Sequence, residues 1–346
     1  MPEPGHILLT GGAGFIGANF VRYVLAERPG VRLTNLDALT YSGNLENLAG
    51  VAEAHAGYRF VRGDVTDAEL VGRLVAEADV VVHMAAESHV DRSILDSRPF
   101  IVTNVLGTQT LLDAVRRRQR EGAPVRFVHV STDEVYGSLP LDDPEERFTE
   151  ETPLAPNSPY AASKAAADLL VRAYHHTFGL EAMITRCSNN FGPYQFPEKV
   201  ILLFVTNLVE GAQVPLYGDG LNVRDWLHVL DHCEAVLAVA ERGRAGEVYN
   251  IGGNNERSNL ELTRTILELM GQGPEMIRRV PDRPGHDRRY AIDAGKIARE
   301  LGWRPTRSAW PGALAETVAW YRDNPGWWKR VKSGEYREYY KRQYGG

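Results

Sequence analysis

The sequence predicts an α/β fold, a doubly wound parallel sheet with a smaller, interleaved C-terminal substrate-binding lobe. Three observations predict it. Short β-rich runs alternate with helical patterns through the first half of the chain, the pattern of βαβ units. Several runs are continuously apolar, as strands covered by helices on both faces must be. At 346 residues, the chain is longer than a single hydrophobic core usually serves.

In chain order, strands are expected at His6 to Thr10, Arg32 to Leu36, Tyr58 to Arg62, Val80 to Met84, Arg126 to Ser131 and Glu181 to Arg186. Each is a short run rich in Val, Ile, Leu or aromatics. Helices are expected near Ile16 to Glu27, Ala68 to Glu77, Thr103 to Arg120 and Pro159 to Phe178, where apolar residues recur at helical spacing. Beyond Arg186 the pattern loosens. Segments 189–197, 215–222, 252–259 and 282–287 are rich in Gly, Pro and Asn and read as binding loops. Glu247 to Ile251 and Arg289 to Ile292 look like strands again. The expected division is therefore a cofactor-binding lobe over 1–187, with later segments near 223–253 and 289–293 returning to it. Residues 188–346 form mainly the second lobe.

Composition narrows the function classes. A formal net charge of −6 argues against nucleic-acid binding, which needs a basic footprint on the phosphates. Cys187 and Cys233 cannot make a disulfide framework and fit a reducing cytoplasm. No signal-peptide pattern precedes the first apolar run, and no apolar stretch is long enough to span a membrane. Arg116, Arg117, Arg118 and Arg120 read as the solvated end of a helix, and the aromatic tail from Trp327 to Tyr344 as a packing stripe.

Thr10-Gly11-Gly12-Ala13-Gly14-Phe15-Ile16-Gly17 joins the first strand to the first helix. Glycines there let backbone amides approach a pyrophosphate, and the helix N-terminus supplies donors and positive potential. This context makes the fold Rossmann-type. Asp37 falls about 20 residues on, at the end of the second strand, where a carboxylate binds ribose hydroxyls and repels a 2′-phosphate, favouring NAD over NADP. Asp64-Val65 and Ala85-Ala86 follow the third and fourth strands, at the edge where open α/β sheets bind ligands. No metal site is expected.

Tyr160 and Lys164 share one face of a predicted helix. A free phenol titrates near pH ~10. A neighbouring ammonium, or a positive nicotinamide ring, is expected to lower that value and make Tyr160 a base for an alcohol proton. Thr132, at the preceding strand end, can hydrogen-bond the same hydroxyl. This Thr-Tyr-Lys set resembles the extended short-chain dehydrogenase/reductase superfamily over nearly the whole chain. Asp133 and Glu134 follow Thr132 directly. Adjacent carboxyls can divide acid and base work if their environments separate their pKa values.

More specific runs are 37–44, 85–93, 131–137, 188–195, Arg224-Asp225-Trp226 and 283–290. Together they resemble the dTDP-glucose 4,6-dehydratase family. The resemblance implies a redox-neutral dehydration. Tyr160 takes the sugar 4-hydroxyl proton as hydride passes to NAD. Glu134 takes the C5 proton and Asp133 protonates the departing 6-hydroxyl. Hydride then returns to C6, giving a 4-keto-6-deoxy sugar, with NAD held tightly throughout. The resemblance adds Leu39, Thr40, Ser88, Thr103 and Asn190 to the cofactor residues. It also implies a homodimer through the helices following Thr103 and Pro159, although an apolar helix face equally serves an internal core.

For the nucleotide end of the substrate, Arg224 and Arg283 can give forked hydrogen bonds to phosphate oxygens. Asn189 and Asn259 are neutral donors for phosphate or sugar. The resemblance adds Ser88, Lys199, Val200, Pro215, Tyr217 and His286. The family reads Leu-Ile-Pro after this lysine; here Val200-Ile201-Leu202 stands instead, which predicts a relaxed local backbone. Three other readings share much of the sequence. A nucleotide-sugar 4-epimerase needs no elimination pair, so Asp133 and Glu134 speak against it. A dehydratase for CDP- or UDP-sugars differs only in its base pocket. A silent NAD-binding scaffold predicts a broken Thr-Tyr-Lys set, and all members are present.

Overall fold

The computed structural model describes residues 4–332. Its main sheet contains β1 (His6–Thr10), β2 (Arg32–Asp37), β3 (Tyr58–Arg62), β4 (Val80–His83), β5 (Arg126–Thr132) and β6 (Ala182–Cys187). Three short strands follow, β7 (Asn189–Phe191), β8 (Val214–Tyr217) and β9 (Val223–His228); then come β10 (Val248–Ile251), β11 (Glu256–Ser258) and β12 (Ile277–Val280). The seven-stranded sheet runs β10-β6-β5-β4-β1-β2-β3, and all its pairings are parallel. Strand order reverses between β1 and β4, so the crevice for a ligand opens at their carboxyl ends.

Both faces of the sheet are buried, which explains the apolar runs. Along β1, Ile7 and Leu9 point into one core and Leu8 into another. The first core is closed by helices Phe15–Glu27 and Val229–Arg242, and the second by Ala68–Glu77, Gly107–Arg120 and Pro159–Phe178. A third cluster lies in the C-terminal half. Leu202, Phe204, Trp226, Leu262, Tyr321 and Trp328 pack there, drawn from helices Val200–Val209, Asn259–Leu269 and Gly312–Asp323 and their neighbours. Trp327 and Trp328 bury in it as expected of a packing stripe, while 333–344 lie outside the described residues. Arg116 stacks over the Phe178 ring at 3.6 Å, so that end of its helix is not simply solvated.

The early strands match the expected spans to within a residue at each end. The second half departs further. Of the segments expected to return to the main sheet, Val248–Ile251 joins it beside β6. Val223–His228 instead forms a three-stranded sheet with β7 and β11. Residues 289–292 make only isolated bridges, Arg289 to Val223 and Ile292 to Phe148, because they cross between two partners instead of pairing along one. Three expected loops contain short strands: β7, β8 and β11. The expected helix from Thr103 opens as π-helix (Ile101–Leu106) and becomes α-helical only from Gly107. Val200-Ile201-Leu202 is the first turn of a regular helix with Ile201 and Leu202 fully buried, so the backbone there is not relaxed. Among the described residues, no helix is long and apolar enough to cross a membrane.

Tight packing between β1 and the first helix holds the crevice open. Gly11 takes φ +77°, and a Cβ there would sit 2.6 Å from the Ala85 amide. A Cβ on Gly17 would overlap the Gly11 carbonyl and the Gly12 Cα. Gly17→Ala is therefore expected to destabilise the protein by about 1–3 kcal/mol in urea unfolding. Gly30, where a Cβ meets nothing within 4 Å, is the control, with Gly30→Ala staying within about 0.5 kcal/mol. Equal effects at both positions would refute the packing argument.

Candidate active site

One cleft runs over the carboxyl ends of the main strands, from the glycine turn to the end of β6. Gly11, Gly14, Phe15, Ile16 and Gly17 form its first wall. The helix Phe15–Glu27 starts at Gly14 with no side-chain cap, leaving its first N–H groups for an anion. Beside it, the Asp37 carboxylate accepts the Ala13 N–H through one oxygen and the Leu39 N–H through the other, both at 2.8 Å. Leu39 reaches it by adopting φ +55°. Burial raises the Asp37 pKa, and those two amides oppose the rise. Each oxygen keeps a second lone pair for a ribose hydroxyl. A pyrophosphate at the uncapped helix and a ribose at Asp37 are what a dinucleotide presents, so the residues present fit NAD.

Thr40, Asp64, Val65, Ala85, Ala86, Ser88 and Thr103 line the same cleft; Leu39 does not, and contributes only its amide. Asp64 turns its carboxylate to the Thr66 amide and hydroxyl, both at 2.8 Å. The Asn190 amide is held by the protein, donating to the Ser188 carbonyl at 3.0 Å, while its Oδ1 lies 3.0 Å from His232 Nδ1. Asn189 Oδ1 is buried with no hydrogen-bond partner among the described residues.

At the end of β5, Thr132 caps a 3₁₀ turn, Asp133–Tyr136, accepting the Glu134 N–H at 3.3 Å. Its hydroxyl donates to Asp133 Oδ1 at 3.3 Å. Burial, then Glu134 and Asp225, hold the Asp133 carboxyl well above the usual carboxylate range, against Arg224 and Thr132. Glu134 is also raised by burial, but Arg283, Lys199 and Arg224 pull it back toward the carboxylate. Both are raised, but three cations oppose the rise at Glu134 and one at Asp133, an asymmetry that an acid–base pair needs.

Tyr160, 8% exposed, faces this pair from the helix Pro159–Phe178. Burial, Glu134 and Cys187 hold its phenol well above its ordinary value, while a hydrogen bond with the Thr132 hydroxyl opposes them. The expected lowering by Lys164 is absent. Its ammonium donates to the Val130 carbonyl at 2.8 Å and to His129 Nε2 at 3.3 Å. Burial, opposed by Asp168 and Cys187, brings Lys164 down to about 8. Behind it lies a polar network that sequence reasoning missed. His129 Nε2 is 3.5 Å from Asp168, which accepts Arg186 Nε at 2.8 Å, and Arg186 donates to the Tyr136 hydroxyl at 3.0 Å.

The residues expected at the nucleotide end divide in two. Lys199 lines the cleft and donates to the Ser88 carbonyl at 3.1 Å. Arg224 and Arg283 do not line it, though both bear electrostatically on Glu134. Arg224 packs over the Tyr290 ring at 4.2 Å and donates to the Asp287 carbonyl at 2.9 Å. Arg283 donates to Asp91 Oδ1 at 3.0 Å, and the Tyr217 hydroxyl donates to Asp91 Oδ2 at 3.3 Å. His286 rests edge-on to Tyr217 and 2.6 Å from Asp282, its pKa lowered to about 4 by burial and then by Arg283 and Arg224. Val200 packs into the third cluster, Pro215 is buried in β8, and Asn259 opens a helix; none lines the cleft. Sequence reasoning also missed Asp91, Glu87, Gln195 and Glu198, although Glu87 and Asp91 stand inside the 85–93 run. Glu198 ion-pairs with Arg92, and Arg92 stacks over Tyr41 at 4.1 Å.

Comparison with known proteins agrees with this geometry. The family model described as GDP-mannose 4,6 dehydratase matches residues 8–312. The dTDP-glucose 4,6-dehydratase of Streptomyces niveus is 56% identical over 332 residues, covering 95% of this chain and 96% of that protein. The dTDP-glucose 4,6-dehydratase of Streptomyces venezuelae, solved with NAD and TYD bound, aligns at a TM-score of 0.89 and 53% identity, covering 94% of this chain and 100% of that one. A UDP-glucose 4-epimerase of Thermus thermophilus, solved in complex with NAD, shares the fold at a TM-score of 0.82 and 33% identity, over 92% of this chain and 99% of that one. By family model, sequence and fold together, the chain belongs to the dTDP-glucose 4,6-dehydratase family, within the wider group that the GDP-mannose 4,6 dehydratase model describes.

Proposed function

We propose that the chain converts dTDP-glucose to dTDP-4-keto-6-deoxyglucose, as an NAD-dependent hydro-lyase. The observation that carries this reading is that Asp133 and Glu134 line one cleft with Tyr160, with three cations opposing the rise at Glu134 against one at Asp133. An epimerase has no use for such a pair. When bound, NAD accepts hydride from C4 and returns it to C6, and its positive ring favours the Tyr160 phenolate. Gly11, Gly14 and the amides of Phe15, Ile16 and Gly17 hold the pyrophosphate, and Asp37 the adenine ribose. Tyr160 removes the 4-hydroxyl proton, with Thr132 orienting that hydroxyl and Lys164 placing positive charge behind the phenol. Oxidation at C4 acidifies C5, whose proton Glu134 takes. Asp133, neutral at the start, protonates the 6-hydroxyl as it leaves, and Glu134 then returns a proton to C5.

The distribution of the cores supports a division of labour, with segments near 223–253 and 289–293 returning to the cofactor lobe. Residues 1–187 bind the cofactor, and 188–346 mainly bind the nucleotide sugar, with Lys199, Arg224 and Arg283 supplying positive charge. Tyr217 and His286 lie nearby for the nucleoside. The exposed Leu95, Ile101, Leu106 and Leu169 support a homodimer. The two free, buried cysteines support a cytoplasmic location.

Incubated with dTDP-glucose and no added NAD, the purified protein should give a product lighter by one water, seen by mass spectrometry, without accumulating reduced cofactor. Substrate deuterated at C4 should yield product labelled at C6; an epimer, or label lost to solvent, would overturn the scheme. Glu134→Gln is expected to cut product formation by about 10²–10⁴-fold while substrate still produces NADH absorbance at 340 nm. Tyr160→Phe should suppress both signals. The pH profile is set by the lowered Lys164, whose ammonium is lost as pH rises through about 8. kcat/KM should therefore fall above that pH; a profile flat to pH ~10, where an ordinary lysine still holds its proton, would show that the Lys164 charge is dispensable.

A further inference from the structure

We propose that Arg92, held between the Tyr41 ring and the Glu198 carboxylate, closes a clasp across the cleft that retains NAD through the catalytic cycle. The inference rests on the cofactor staying bound between hydride removal and hydride return, and is independent of which nucleotide sugar is dehydrated. A hydride taken from C4 reaches C6 only if the cofactor that carries it does not leave. The glycine turn and Asp37 explain how a dinucleotide binds, and leave open what slows its departure.

The clasp joins segments far apart in sequence. Tyr41 lies in the loop that begins at Asp37, the carboxylate placed for the adenine ribose. That loop is pinned to the glycine turn, where the Asn44 N–H donates to the Ala13 carbonyl at 3.0 Å. From the second lobe, Phe196 meets the Tyr41 ring edge-on, with centroids 5.4 Å apart. Arg92, on the helix Val90–Leu95, places its guanidinium 4.1 Å from the centre of the same Tyr41 ring. Its Nε donates to both Glu198 oxygens, at 2.9 and 3.1 Å, and Nη2 completes the ion pair. The Glu198 side chain is 1% exposed, so its charge depends on that partner, and separating a buried pair is costly. Tyr41, Phe196 and Glu198 line the same cleft as Gly11, Asp37 and Tyr160. Rings in edge contact leave no gap for a dinucleotide, so a ligand can leave between them only when Tyr41 and Phe196 part. Because Arg92 grips both sides, that opening breaks either its contact with Tyr41 or its bonds to Glu198. Either loss raises the barrier to release, and contacts of this kind act mainly on dissociation rates.

The test is the rate at which the holoenzyme releases NAD, read by diluting it into alcohol dehydrogenase and ethanol, which reduce free NAD, and following NADH fluorescence. Arg92→Ala and Tyr41→Leu should each release NAD about tenfold faster or more, with Arg92→Lys, which keeps the cation, in between. The double variant Arg92→Met with Glu198→Gln removes both charges without leaving either buried alone, and should release NAD about as fast as Arg92→Ala. It carries the test if the single variant folds poorly. Diluted variants should also lose dehydratase activity with time and regain it on adding NAD, a response that a general loss of fold would not give. Release within about twofold of wild type in both Tyr41→Leu and the double variant would overturn the clasp. A wild-type holoenzyme that frees NAD within one turnover would overturn it too, because nothing would then retain the cofactor. A holoenzyme that holds NAD but yields no dehydrated product would refute the assigned reaction alone.

Discussion

Burying ionisable groups at the carboxyl end of β5 is the constraint on which the rest of the structure depends. Asp133, Tyr160, Lys164, Asp168, Arg186 and His129 all lie below 9% exposure within a few residues of that strand end or of the helix covering it. A buried charge that loses its partner costs about 3–5 kcal/mol, so each group must be answered by another. Arg186 answers Asp168, and its second nitrogen is taken by Tyr136, whose hydroxyl passes the chain of bonds to Asn250 at 2.7 Å. These bonds tie β5, β6 and β10 to the catalytic helix. The sheet edge where chemistry happens is therefore also cross-linked by buried polar contacts. That rigidity holds Thr132, Asp133 and Tyr160 at one cleft with little of each exposed.

Much of the fold and the catalytic core was legible because the sequence carries them locally. A fully buried parallel strand needs a continuous apolar run, and the glycine turn needs residues without a Cβ at Gly11 and Gly17. Both are signatures of consecutive positions. The C-terminal half was less legible because its order is non-local. β8 is a four-residue strand whose partner β12 lies some sixty positions on, too short a run to show alternation. Lys164 illustrates the same limit at the level of one side chain. Its spacing from Tyr160 correctly put the two on one helix face, but its hydrogen bonds go to β5, which no spacing on the helix reveals. Asp91 is a third instance: it is bonded by Arg283 and Tyr217, both far along the chain.

The C-terminal cations bear electrostatically on Glu134, although Arg224 and Arg283 do not line the cleft. Lys199, Arg224 and Arg283 are all held by bonds to the protein: the Ser88 carbonyl, the Asp287 carbonyl and the Asp91 carboxylate. They are thus fixed in place before any ligand arrives, which spares a bound pyrophosphate the entropy of ordering long side chains. The same fixed charges lower the Glu134 pKa relative to what burial alone would give. If these cations hold the substrate pyrophosphate as proposed, nucleotide binding and activation of the base share one set of residues.

Adjacent carboxyls would ordinarily make poor partners for opposite tasks, because their like charges raise both pKa values together. The 3₁₀ turn resolves this. With about three residues per turn, successive side chains leave the axis about 120° apart, so Asp133 and Glu134 point in different directions within the one cleft they both line. Asp133 turns inward, to Thr132 and the buried Asp225, where its neutral form is favoured. Glu134 turns toward the cations of the second lobe, which oppose the rise that burial imposes on it. The cap that starts the turn is Thr132 itself, through the Glu134 amide. One hydroxyl thus fixes the turn that sets the two carboxyls apart. The local backbone geometry of four residues, more than any feature of the wider fold, distinguishes an eliminating site from one that only oxidises.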